Sequence, residues 1–187
     1  MTASETMATE VSWMNAMIVV ESSFGNTLAV ARAVADGLGQ YMTVDVREVE
    51  VAPLNVGEAV DLLVVGGPTH ALGMSKPATR REAAQQAGHP ASVPPGVREW
   101  LESAPTGILW AAAFDTKINK RWVPGSAARA IAQQLRRLGA VLVLDPESFR
   151  VTATSGPLAA GELDRARRWG EHLGKSMALT GAVETQH

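Results

Sequence analysis

Met17-Ile18-Val19-Val20-Glu21-Ser22-Ser23-Phe24-Gly25-Asn26-Thr27 decides the reading of this chain: four apolar residues break abruptly into small, hydroxyl-bearing ones before a helical pattern begins. An apolar run of that length is too short for a helix and suits a parallel strand buried on both faces. Beyond it, Ser22, Ser23, Asn26 and Thr27 bring side-chain donors, and Gly25 lets a ligand approach the backbone. The helix that follows aims its unpaired N–H groups and the positive end of its dipole at the same spot. Strand, loop and helix together make a seat for a phosphate. No Lys or Arg lies between Met17 and Leu28, so an anion held there would rest on neutral donors. The alternative is a plain strand-to-helix turn with a Ser or Asn cap, since such turns favour the same residues.

Two phosphate loops are excluded on the same residues. A triphosphate loop needs G-x-x-x-x-G-K-S/T and a dinucleotide fold needs G-x-G-x-x-G after the strand; neither pattern is present. A monophosphate site remains. The 187 residues suit one domain, and the net charge of −2 with interspersed signs argues against a nucleic-acid partner. With no cysteine, thiolate chemistry, disulfides and iron–sulfur clusters are ruled out, and redox chemistry must come from a bound organic cofactor. No stretch approaches the ~20 apolar residues of a membrane span, and residues 1–15 read as a loose leader without a signal-peptide core. A cytoplasmic protein is expected, with a domain over 16–180 and a tail over 181–187.

Further along, Ala31, Val34, Ala35 and Leu38 form the stripe of an amphipathic helix, which Gly37 and Gly39 are expected to stop. Residues 43–51 alternate apolar and polar, as in a strand near a sheet edge. Asp61–Pro68 is a short apolar strand, and Thr69–Met74 a second loop. A helical turn or two from Ala78 to Gln86 and a proline-rich linker over 89–96 precede a helix carrying Val97, Trp100 and Leu101. Gly107–Phe114 reads as a third buried strand, followed by a third polar loop over 115–122. After a helix with Ala128, Ile131, Ala132 and Leu135 on its apolar side, Ala140–Leu144 is the last core strand, with Ser148–Val151 a continuation past Asp145-Pro146. A final helix runs from about Gly161 to Met177. Five strands alternating with helices specify a parallel sheet covered on both faces, where ligands sit beyond the carboxyl strand ends. All three polar loops lie there.

At this point the chain resembles the flavodoxin family from Ala16 to Met177. Ser22-Ser23-Phe24-Gly25-Asn26-Thr27 is similar to the family's phosphate loop, with Phe24 where most members have threonine. Pro68-Thr69-His70-Ala71-Leu72-Gly73-Met74 resembles the P-T-x-x-x-x-M segment of flavodoxin-like quinone reductases, and Phe114-Asp115-Thr116-Lys117 takes the place of the other flavin-flanking loop. The resemblance implies a doubly wound five-stranded sheet in the order 2-1-3-4-5, in one three-layer domain, and FMN as cofactor. Ser22, Ser23, Gly25, Asn26 and Thr27 would hold its phosphate, with a backbone amide replacing the hydroxyl lost at Phe24. Thr69, His70, Ala71, Leu72 and Gly73, following Pro68, would border one side of the ring, and Phe114, Asp115 and Thr116 the other.

The loops lack the Trp and Tyr that sandwich the ring in a typical flavodoxin. Phe114 or Trp122 would cover one face and His70 or Leu72 the other, with Asp115 at the pyrimidine end and Gly73 near N5. An open ring tilts the expectation from electron carrier towards an FMN-dependent NAD(P)H:quinone-type oxidoreductase. The partners are then a redox protein, or a nicotinamide and a quinone; neither nucleic acid nor membrane is expected. A flavin-free binding module on the same fold is the competing class; its receiver version lacks the required aspartate, since the third strand ends in Gly66-Gly67-Pro68. Asp115 has an alternative role as a cap for the following turn. Lys117, Lys120 and Arg121 read as a solvated cluster, and Arg129, Arg136 and Arg137 as plain surface.

Overall fold

The computed structural model of the protein describes residues 14–56, 59–70, 73–88, 94–103, 110–118 and 125–184. Along them run β1 (Asn15–Val20), α1 (Asn26–Leu38), β2 (Thr43–Glu48), β3 (Leu62–Pro68), α2 (Pro77–Gln86), α3 (Val97–Ser103), β4 (Trp110–Ile118), α4 (Ala127–Arg137), β5 (Val141–Leu142), β6 (Glu147–Val151) and α5 (Glu162–Glu184). The strands form one parallel sheet in the order β2-β1-β3-β4-β5, with β6 also pairing with β4. This is the expected three-layer α/β architecture. The alternating strand β2 lies at the edge, as its half-wet pattern requires.

Side-chain parity divides the core. Ile18, Val20, Leu62, Val64, Ala112 and Phe114 point to the face covered by α1 and α5, while Val19, Leu63, Val65, Ala111 and Ala113 point to the face covered by α3 and α4. Because successive strand residues alternate faces, a fully apolar strand feeds both cores at once. The crossing of α1 and α5 is tight: a Cβ on Gly37 would run into the backbone of Arg167 and Glu171, and one on Gly170 into that of Val34. Gly37 therefore lies inside α1 as a packing notch, and only Gly39 follows the helix.

Three boundaries differ from expectation. The fifth strand is split: β5 keeps only two residues, with Val141 48% exposed, and β6 supplies most of the pairing with β4. That pairing extends β4 to Ile118, in register Phe114↔Glu147 through Ile118↔Val151, so Asp115, Thr116 and Lys117 are strand residues and not loop. Their polar character misled the reading of a strand end. At the carboxyl end, α5 continues to Glu184, past Met177, the last residue of the apolar stripe.

Candidate functional site

A cavity of about 290 Å³ opens beyond the carboxyl ends of β1, β3, β4 and β6. Its floor is the turn between β1 and α1. Gly25 occupies the N-cap position with φ of 81°, a left-handed conformation that glycine adopts without strain, and offers no side-chain cap. The hydroxyl of Ser22 takes that role from outside the helix, accepting the Leu28 amide at 3.2 Å, while the Gly25 carbonyl accepts the Ala29 amide. The Asn26 and Thr27 amides, ahead of them in the first turn, find no acceptor among the described residues. The turn is thus capped and still leaves two N–H groups open. Ser23, whose hydroxyl has no partner among the described residues, lines the cavity beside Phe24, Asn26 and Thr27.

The loop is braced from behind. Asn26 donates its side-chain amide to the Ser155 carbonyl at 3.0 Å, and Gly156, at φ of 98°, comes so close that any Cβ there would strike the Asn26 side chain. Thr27 is buried and shares a 2.8 Å hydrogen bond with Thr116. When Thr116 donates, the Thr27 proton stays free for a ligand. One bond therefore ties α1 to β4 across the cavity mouth.

The second wall comes from Pro68, Thr69 and His70 at the end of β3. His70 and Gly73 exchange backbone hydrogen bonds, each at 2.9 Å, so the Gly73 N–H and one lone pair of its carbonyl are engaged. Thr69 is committed too: its hydroxyl donates to Asp115 and accepts from the Ala127 amide. His70 lines the cavity, and its partial burial holds its pKa below the ordinary 6.5, against the pull of Glu21 and with the push of Arg80. It is neutral at pH 7. Ala71, Leu72 and Trp122 lie outside the described residues.

Two residues expected at the ring do not face it. Phe114 is fully buried, packed edge-on against Phe149 and Trp169 with ring centroids 6.1 and 6.2 Å away. Parity is the cause, since position 114 falls on the α1/α5 face and its ring fills the space above Gly66. Asp115, also fully buried, faces the other way and takes the capping role: its Oδ2 accepts from Thr69, Ser126 and the Ala128 amide at 2.6–2.9 Å. Its Oδ1 has no partner. Thr116 does line the cavity, as does Lys117.

The sequence reading missed one whole wall. Thr79, Glu82, Ala83 and Gln86 of α2 line the cavity, spaced i, i+3, i+4 and i+7, so one helical face closes it. That spacing was visible, but no apolar stripe drew attention to it. Val151 and Thr154, at the end of β6, complete the wall and depended on a strand pairing that local pattern does not specify. Phe24 and His70 are the aromatic side chains lining the cavity among the described residues. No helix among the described residues is long and apolar enough to cross a membrane.

No protein-family model matches the sequence, and no curated protein matches it. Solved structures do resemble it. A flavodoxin from the domain Archaea superposes with a TM-score of 0.59 at 20% identity, over 88% of this chain and 99% of that one. Flavodoxin 2 from Bacillus cereus gives a TM-score of 0.63 at 15% identity, over 86% and 98%. A flavodoxin, WrbA-like protein from Agrobacterium tumefaciens gives 0.57 at 16%, over 89% and 98%. The chain has the flavodoxin-like fold over nearly the full length of these structures.

Proposed function

We propose that this cavity binds FMN phosphate-first and that the protein is a flavin-dependent redox protein. The observation that carries the reading is the pair of open amides at Asn26 and Thr27, set at the amino end of a 13-residue helix beside the free hydroxyl of Ser23. The site also sits where the winding of the sheet reverses, between β1 and β3, the usual ligand position in such folds. No residue of Ser22–Thr27 carries a positive charge, so on this loop the phosphate is recognised by dipoles and hydroxyls, with Lys117 the one lysine or arginine lining the cavity among the described residues.

Bound flavin would supply the electron chemistry, and the chain supplies binding and surroundings. Thr116 orients the Thr27 hydroxyl, and Asn26, held by Ser155, keeps the loop open. Neutral His70 offers a ring nitrogen that can take up or release a proton at the cavity wall. A cavity of about 290 Å³ is at the low end for enclosed small molecules, so part of the ring would remain accessible. That thin lining, with only Phe24 and His70 as aromatic walls among the described residues, favours a second reading within the first: an oxidoreductase that admits a nicotinamide donor and a quinone. A redox partner protein is required if the flavin only relays electrons.

Fluorescence titration of the purified apoprotein tests the proposal. FMN quenches strongly and riboflavin binds at least tenfold more weakly, because the phosphate contacts are charge-assisted. Ser23→Ala weakens FMN by about tenfold and leaves riboflavin unchanged. Equal affinity for the two flavins, or no binding of FMN, removes the proposal.

A further inference from the structure

A second chamber, of about 400 Å³, lies beside the first at the β6 edge of the sheet. We propose that it binds the phosphoryl group of a small molecule, independently of any flavin. Four elements line it with cations: Lys117 from β4, Arg129 from α4, Arg150 from β6 and Arg165 from α5. In the sheet Lys117 and Arg150 are register partners, so their side chains leave the same face side by side. The α4 helix packs over β3, β4 and β5, and at β6 the same face opens into this chamber.

Charge is what marks it. Four cationic and two acidic side chains line the chamber, in a chain whose net charge is −2. Both carboxylates are held by one cation: Arg165 binds Glu147 and Glu162 and donates to the Ser148 carbonyl, with its guanidinium 4.5 Å from the Phe149 ring centroid, and the lining as a whole keeps an excess of positive charge. Burial opposes ionisation of that pair, yet hydrogen bonds between Arg165 and Glu162 keep the arginine pKa raised and the glutamate pKa lowered. Lys117, Arg129 and Arg150 form no ion pair among the described residues, although Arg150 is near enough to Glu162 to help hold that carboxyl's pKa down. Three like charges converging from separate elements repel one another, and a multivalent anion relieves that repulsion. Two free guanidinium groups suit the fork-shaped hydrogen bonding of a phosphoryl group.

The size of the chamber fits a small molecule, and a single concave cluster lacks the extended basic stripe that nucleic acid needs. Because Lys117 also lines the first cavity, a ligand here would border that cavity directly.

Amide chemical-shift mapping of the full chain at low ionic strength, with inorganic pyrophosphate in one arm and ADP in the other, tests this. Saturable shifts are expected at Arg129, Ser148 and Arg150, with Kd of about 1 mM or tighter. The double variant R129Q/R150Q weakens them about tenfold or more, and R129K/R150K restores part of the affinity. Tighter binding of ADP than pyrophosphate assigns the phosphoryl group to a nucleotide, and the reverse to a free ion. Shifts confined to Gly25–Thr27, or the same affinity in the glutamine variant, overturn the inference and leave the FMN reading intact.

Discussion

Two segments at the mouth of the sheet each set a phenylalanine among polar residues but are put to opposite use. In Ser22–Thr27 the chain turns sharply, one hydroxyl caps the helix, the Asn26 side chain braces the loop on Ser155, and Ser23 lines the cavity beside the open amides of Asn26 and Thr27. In Phe114–Thr116 the strand runs straight on, so its side chains alternate into the two layers: Phe114 into the α1/α5 core, Asp115 onto the start of α4, and Thr116 onto Thr27. One segment offers groups to a ligand, and the other holds the frame that keeps the first in place. Composition is nearly blind to this difference. What separates them is whether the backbone has left the ladder, because inside a strand each side chain's direction follows from period two.

The sharpest way to break that comparison is Phe114→Ala. If the residue belongs to the core, removing a fully buried ring that packs against Phe149 and Trp169 costs about 3–5 kcal/mol of stability. Urea unfolding followed by tryptophan fluorescence measures it, and FMN affinity under folding conditions should stay near the native value. A normal unfolding midpoint combined with lost flavin affinity would return Phe114 to the site. Phe114→Leu, which keeps most of the volume, should lie between the two proteins in stability.

Most of the architecture could be read because it follows from local pattern. Buried parallel strands are apolar throughout, β2 alternates because it sits at the edge, and the loop after β1 shows its turn in Ser, Gly and Asn. What could not be read depends on pairing between distant segments. The extension of β4 exists because β6 lies alongside it, and although Ser148–Val151 reads as strand beyond the break at Asp145-Pro146, nothing local says that it pairs with 114–118. Gly37 looked like a helix stop because glycine usually is one, yet its role is set by a helix more than a hundred residues away. The α2 wall failed to stand out for a similar reason: Thr79, Glu82 and Gln86 look like ordinary solvent-facing residues until the loops beside them are in place.

Thr27→Val sharpens the comparison at the one bond that joins the two segments. The valine keeps the shape but leaves the buried Thr116 hydroxyl without its partner, at a cost of about 1 kcal/mol. It also removes a hydroxyl from the phosphate seat, so FMN affinity falls while riboflavin affinity stays. Thr27→Ser keeps the hydroxyl and should recover most of both losses. If valine lowered stability and left FMN binding untouched, Thr27 would belong with the frame and not with the seat.

The smallest effect tests the wall between the two segments through pH. Burial lowers the pKa of His70 below 6.5, so between that lowered value and about 6.5 the unfolded chain takes up a proton that the folded chain refuses. Stability contributed by keeping the ring neutral is full above this window and is lost as pH falls through it, with a slope of at most about 1.4 kcal/mol per pH unit. Glu99 and Glu162 also lose stability as pH falls, because their folded pKa values lie below the ordinary 4.5, but theirs is lost only below that value. Comparing urea midpoints of the native protein and His70→Gln from pH 7 to pH 5 therefore isolates the histidine. The native protein should lose more than the variant over this range. Parallel curves would mean that His70 stands in solvent, and that the cavity wall at the end of β3 is more open than its partial burial implies.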